Sequence, residues 1–183
     1  MKNSVIMAGF GGQGILLIGN MLAYAGLEEG KQVTYMPAYG VEMRGGTANC
    51  TVVVADEPIG SPIVGKPDAV IVMNLPSLKK FESWIKPGGI LLFNTSLVPT
   101  EQQKRTDITA YPVPANDLAT EMGNARLANM ILIGAYVAAT GVVSQDSLIN
   151  SLSKVISERN ARFIPQNIEA IKLGAQQIAG LKN

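Results

Sequence analysis

The stretch Gly9-Phe10-Gly11-Gly12-Gln13-Gly14 follows the apolar run Val5-Ile6-Met7-Ala8 and precedes a helix-length segment from Ile15 to Leu27. A short apolar run closed by glycines fits a strand covered on both faces. Strand, glycine turn and helix in that order point to an α/β fold. The glycines match G-x-G-x-x-G in the context that pattern needs. Gly9 permits the tight turn, Gly11 lets backbone approach a ligand, and Gly14 lets helix and strand pack closely. With Gly12, they leave the start of the helix offering N–H groups to an anion. The Gln13 amide adds a directed hydrogen bond. The same geometry serves equally well as a turn that binds nothing.

The rest of the chain repeats the alternation. Ile15, Ile18, Leu22 and Ala25 recur at helical spacing, and Glu28-Glu29-Gly30 end that helix. Val33 to Met36 reads as a second strand ended by Pro37, completing a β–α–β unit. Residues 37–46 read as a loop. Thr47 to Ala55, rich in Thr and Val, favours a strand. Ala69 to Met73 and Ile90 to Phe93 are buried strands. Asp107 to Val113 fits an edge strand, where Pro112 is tolerated. Helices are expected over Pro76 to Ile85, from an Asn116-Asp117 cap to Met122, over Ala125 to Thr140, from a Ser144 cap to near Ser157, and over Pro165 to Leu181. The last carries an apolar stripe of Ile168, Ile171, Ala175 and Ile178. The pattern predicts a mostly parallel, Rossmann-like sheet with helices on both faces and a helical C-terminal third. At roughly 150 residues per domain, residues 1–183 form one domain.

Composition narrows the chemistry. The chain has no histidine and one cysteine, Cys50, among its 183 residues. The usual general base and the commonest transition-metal ligand are therefore missing. A lone cysteine holds neither an iron–sulfur cluster nor a structural zinc by itself. Cys50 lies in a predicted strand with no basic cluster beside it, which favours a small buried apolar residue over a nucleophile. Its solitude implies a reducing compartment, the cytoplasm. The net charge is +1, and no Lys/Arg run tracks a phosphate backbone, so nucleic acid is not an expected partner.

Two apolar stretches imitate membrane signals. Between Lys2 and Glu28 there is no charge, as in a secretory signal, yet the glycine hexapeptide breaks the apolar core that such a signal needs. Residues 127–145 are uncharged, but Asn129, Gly134, Thr140 and Gly141 make them a buried helix rather than a span of about 20 apolar residues.

A dinucleotide site of this type requires an acid about 20 residues beyond the turn, at the end of the second strand. That position reads Tyr35-Met36-Pro37-Ala38-Tyr39, with no acid. A second cluster follows at once: Tyr39-Gly40-Val41-Glu42-Met43-Arg44-Gly45-Gly46. In an extended segment Glu42 and Arg44 share one side. Arg44 can take a carboxylate or phosphate bidentately, and Gly45-Gly46 admit close backbone approach. An ion pair between Glu42 and Arg44 that merely orders a loop fits the same residues.

The hexapeptide, the segment Tyr39–Cys50 (YGVEMRGGTANC) and the later ADEPIGSPIV together resemble the gamma subunit of 2-oxoacid:ferredoxin oxidoreductases. The likeness covers essentially the whole chain. RGGTANC with DEPIGSPIV is more similar to the 2-oxoglutarate and branched-chain 2-oxoacid enzymes than to the pyruvate enzyme. The resemblance implies oxidative decarboxylation of a 2-oxoacid, most simply 2-oxoglutarate to succinyl-coenzyme A and CO2, with electrons passed to ferredoxin. It implies that thiamine diphosphate and iron–sulfur clusters sit on other subunits, and that this chain helps form the coenzyme A side of the site. The implied partners are alpha and beta subunits, with a delta subunit as a further one and ferredoxin indirectly. The isolated chain is then inactive and can self-dimerise through surface meant for those partners.

Two other readings stay open at this stage. One is a free-standing nucleotide-binding reductase, which requires tight nucleotide binding by the chain alone. The other is a scaffold subunit whose glycines only pack.

Overall fold

The computed structural model describes residues 1–39 and 46–181. One six-stranded sheet organises them, in the order β2-β3-β1-β4-β5-β6. The strands are β1 (Lys2–Phe10), β2 (Gln32–Tyr39), β3 (Thr47–Ala55), β4 (Ala69–Val72), β5 (Ile90–Asn94) and β6 (Thr109–Val113). β1, β4, β5 and β6 run parallel, whereas β3 pairs antiparallel with both β1 and β2.

The β–α–β unit is therefore split. β2 points the same way as β1, but β3 lies between them. Pro37 does not end β2, which continues to Tyr39 with Pro37 opposite Cys50. β2 is the sheet's edge, the one place where a missing N–H costs no ladder bond. The opposite edge, β6, tolerates Pro112 for the same reason.

Strand periodicity sends alternate residues to opposite faces. Val5, Met7, Val52, Val54, Ile71 and Leu92 enter one core, and Ile6, Ala8, Val70, Val72, Leu91 and Phe93 enter the other. The first face is covered by α1 (Ile15–Glu28), α3 (Ala115–Glu121), α4 (Ala128–Thr140), α5 (Gln145–Val155) and α6 (Ile164–Leu181). The second face carries α2 (Leu75–Phe81) and the 3-10 turn after it.

Helix starts differ from the expected ones where tertiary bonds set them. α3 begins at Ala115, whose N–H is accepted by the buried Asn94 side chain, so Asn116 is not its cap. The Ala125 segment opens as a 3-10 turn before α4. α6 buries Asn167, Ala170, Ile171, Gly174 and Ile178, so its inner face runs over Gly174 rather than Ala175.

α4 is buried from Ala128 to Val137. It crosses α6 with backbone against backbone. A Cβ built on Gly134 falls 2.1 Å from the Ile171 carbonyl oxygen, and one on Gly174 falls 1.9 Å from that of Ile131. No described helix is long and apolar enough to cross a membrane.

Candidate functional site

The glycine turn lies at the carboxyl edge of the parallel strands, where open α/β sheets bind ligands. Its glycines divide their work differently from the sequence expectation. Gly12 (φ 95°) and Gly14 (φ 74°) adopt left-handed conformations that disfavour any side chain. Gly14 packs against α4 rather than against a strand: a Cβ there would strike the Asn129 amide, whose nitrogen donates to the Gly14 carbonyl at 3.3 Å. The close approach of α1 to the sheet is made further along, by Gly19 against Cys50 and Tyr35 and by Gly26 against Val33 and Val54.

Not every N–H of the turn is free. Gly11 N–H donates to the Gly46 carbonyl at 2.9 Å, and Gln13 N–H donates to that of Phe10 at 3.1 Å. Among the described residues, the N–H groups of Gly12, Gly14 and the first three α1 residues, Ile15 to Leu17, have no acceptor, and no side chain caps the helix. These donors stand beside a hollow of about 330 Å3 lined by Phe10, Gly11, Gly12, Ile15, Leu16 and Ala48, among others.

Gln13 is turned inward. Its Oε1 accepts from Phe10 N–H at 2.7 Å and from Asn74 Nδ2 at 3.1 Å. A Cβ on Gly9 would lie 2.7 Å from that oxygen, so the bare Gly9 makes room for the folded-back amide.

Of the second predicted cluster, Gly46 is described. Its bond to Gly11 joins the two glycine segments at one edge of the sheet. Glu42, Arg44 and Gly45 lie outside the described residues. Cys50 is fully buried, its Sγ 3.7 Å from the Ile15 carbonyl oxygen, and burial pushes its thiol up to about 12. It packs as a core residue.

The buried amides Asn74, Asn94 and Asn129 escaped sequence reasoning. Asn74 ends the β4 segment and caps α2 by accepting from Ser77 N–H at 3.0 Å. Asn94 ends β5. It donates to the Met73 carbonyl at 3.2 Å and to Asn116 Oδ1 at 2.7 Å, and accepts from Ala115 N–H at 3.1 Å. Asn129 braces Gly14 from α4. Asn74 carries a readable signal, an Asn closing an apolar strand just before a helix.

The split sheet removes the geometry of a dinucleotide dehydrogenase, in which the second strand lies directly beside the first and carries the ribose-binding acid at its end. What the fold and turn define is an α/β domain with a donor-lined edge and, among the described residues, no acid–base pair at it.

Residues 4–177 match the family described as pyruvate ferredoxin/flavodoxin oxidoreductase, and the chain belongs to that family. It is 38% identical over 173 residues to the ketoisovalerate oxidoreductase subunit VorA of Methanothermobacter marburgensis. That alignment takes in 93% of this chain but 35% of the relative, so the chain spans about a third of that subunit's length. Among solved structures, the gamma subunit of a keto/oxoacid ferredoxin oxidoreductase from Geobacter sulfurreducens superposes with a TM-score of 0.86 at 26% identity, covering 98% of both chains. A 2-oxoglutarate:ferredoxin oxidoreductase from Magnetococcus marinus, solved with 2-oxoglutarate, coenzyme A and succinyl-CoA bound, matches with a TM-score of 0.88 at 25% identity. There the match covers 98% of this chain and 31% of the other.

Proposed function

We propose that this chain is the gamma subunit, a single domain over residues 1–183, of a multi-subunit 2-oxoacid:ferredoxin oxidoreductase, with 2-oxoglutarate as substrate. The observation that carries the reading is the whole-chain likeness to a fold that is a separate gamma subunit in one relative and part of a longer chain in others. The reaction joins a 2-oxoacid and coenzyme A, releases CO2 and passes electrons to ferredoxin. Thiamine diphosphate and iron–sulfur clusters belong to the alpha, beta and delta partners. Cofactors of that kind supply the hard chemistry, and protein supplies binding and orientation. The complex works in the cytoplasm.

Within it, residues Gly9, Gly11, Gly12, Gln13 and Gly14, with Glu42, Arg44, Gly45 and Gly46, form the coenzyme A and substrate side of the site. The support is chemical. The turn leaves N–H donors beside a hollow at the strands' carboxyl edge, which suits a phosphate or carboxylate. Arg44 brings the positive charge that the turn itself lacks. On the far side of α1, exposed Tyr24 and Leu27 border a hollow of about 820 Å3 shared with α5 and α6, apolar surface suited to a subunit contact.

The test is co-purification of the native chain followed by kinetics of the assembled enzyme. Partners carrying thiamine diphosphate and iron–sulfur clusters are expected, and Arg44→Ala is expected to raise KM for coenzyme A or the 2-oxoacid. A lone, active monomer that binds nucleotide tightly would overturn the reading in favour of a free-standing reductase. Unchanged kinetics in an intact complex would remove Arg44 from the site.

A further inference from the structure

A second hollow, of about 320 Å3, opens next to the one at the turn. Leu17 lines both, and Asn129, in the wall of the second, donates to the carbonyl of Gly14, in the wall of the first. Among the described residues that line the second hollow, Arg126 alone is charged. The amides around it are committed to the frame. Asn124 accepts from the Arg126 N–H at 3.2 Å and donates to Gln166 at 3.4 Å, and Asn167 donates to the Phe163 carbonyl at 2.7 Å. The Arg126 guanidinium is uncommitted: among the described residues it has neither a hydrogen-bond acceptor nor an ion-pair partner. Phe163, just before α6, also lines the hollow and is 41% exposed. The Arg162 guanidinium lies over its ring, 4.8 Å from the centroid, which leaves the ring's other face for a planar ligand.

An unpaired guanidinium takes a phosphate bidentately, and an open aromatic face stacks a base. The two together in one hollow fit a phosphorylated nucleoside. The turn next door supplies N–H donors for further phosphate oxygens. Coenzyme A carries both kinds of phosphate on a single ribose, a diphosphate at the 5′ position and a monophosphate at the 3′ position. We propose that this second hollow holds the nucleoside end of coenzyme A, with Arg126 on the 3′-phosphate and Phe163 stacked on the adenine, while the 5′-diphosphate reaches the glycine turn. The proposal rests on the reading of the turn as the coenzyme A side of the site. A 2-oxoacid has no base to stack and makes no use of the ring.

The test uses the assembled oxidoreductase, with coenzyme A and dephospho-coenzyme A, which lacks only the 3′-phosphate, as the varied substrates. Arg126→Gln is expected to raise KM for coenzyme A about tenfold, the pattern of a lost binding contact. KM for dephospho-coenzyme A and for 2-oxoglutarate should not move, because neither carries the group that Arg126 holds. Arg126→Lys keeps a point charge for phosphate and should recover part of the loss. Phe163→Ala should raise KM about tenfold for both forms of the coenzyme, and Phe163→Tyr, which keeps the ring, should restore it. Arg126 is exposed and its side chain is unbonded among the described residues, so its variants keep the fold.

An equal rise for coenzyme A and dephospho-coenzyme A in Arg126→Gln overturns the assignment of Arg126 to the 3′-phosphate. Unchanged KM in both Arg126→Gln and Phe163→Ala, where Arg44→Ala raises it, removes this hollow from the site and leaves the reading of the turn standing. If none of the three variants moves KM for coenzyme A or for 2-oxoglutarate, the reading of the turn falls, and the proposal with it.

Discussion

Replacing Gly174 with alanine probes the α4–α6 crossing. A Cβ at Gly174 lies 1.9 Å from the Ile131 carbonyl oxygen, 2.8 Å from its carbon and 2.9 Å from Ala135 N. Real Cβ atoms keep at least 3.0 Å from such neighbours, so the helices must part by about 1.1 Å at the closest point. Both sides of the clash are backbone, and no side chain can rotate away. A gap of 0.5–1 Å forfeits roughly a quarter to a half of the dispersion energy of the atoms it separates, and overpacking of this kind costs about 1–3 kcal/mol. With backbone on both sides the upper end applies, about 3 kcal/mol. Alanine returns about 1 kcal/mol through better helix propensity. The net loss is about 2 kcal/mol, and for a chain of this size Tm should fall by roughly 4–8 °C. Gly180, in the same helix, has nothing within 4 Å of its would-be Cβ. Gly180→Ala is therefore the control, expected to leave Tm unchanged or raise it by roughly 2–4 °C. Thermal unfolding of both variants by circular dichroism decides the matter. A Gly174→Ala protein as stable as Gly180→Ala would show that the two backbones are not in contact, and the reasoning would be wrong.

Other expectations follow from the same structure. Glu29 accepts from Ser144 N–H at 2.6 Å and pairs with Lys31 at 2.8 Å. Burial opposes its ionisation, but Lys31 and the Ser144 and Ser147 donors outweigh it and hold the carboxyl at about 2, against the usual 4.5. A lowered folded value means stability that is present above about pH 4.5 and lost as pH falls towards 2. Glu29→Gln should therefore cost about 1 kcal/mol at pH 7, given the partial exposure of the pair, and nothing near pH 2. Urea titrations of both proteins across that range check it, and a pH-independent difference would refute it. Cys50 should resist maleimide at pH 8 in the native chain and react fully on unfolding; rapid native labelling would contradict its burial. Asn94→Ala strands a buried Ala115 N–H and the Met73 carbonyl, and should lower stability by about 2–4 kcal/mol at an unchanged denaturant slope. A loss under 1 kcal/mol would mean that water takes the amide's place.

The α/β class, the buried strands, most helix spans and the belonging to an oxidoreductase family were legible in the residues. Local periodicity records burial: Val5 to Ala8 and Ala69 to Met73 read as covered strands because each of their faces meets a core. The glycine turn was equally legible, since Gly12 and Gly14 occupy conformations that side chains resist. The order of strands was not. Nothing local states that β3 inserts between β1 and β2, because pairing is a long-range choice and Thr47 to Ala55 would pair as well elsewhere. That insertion allowed Pro37 to stay within an edge strand and moved the end of β2 away from where a dinucleotide's ribose would sit. Tertiary structure alone also decided which groups of the turn are spent. Gly11 N–H goes to Gly46 and the Gln13 oxygen to Phe10 and Asn74, a residue 61 positions away. A sequence carries the donors and acceptors, but only the folded distances between them decide which remain free for a ligand.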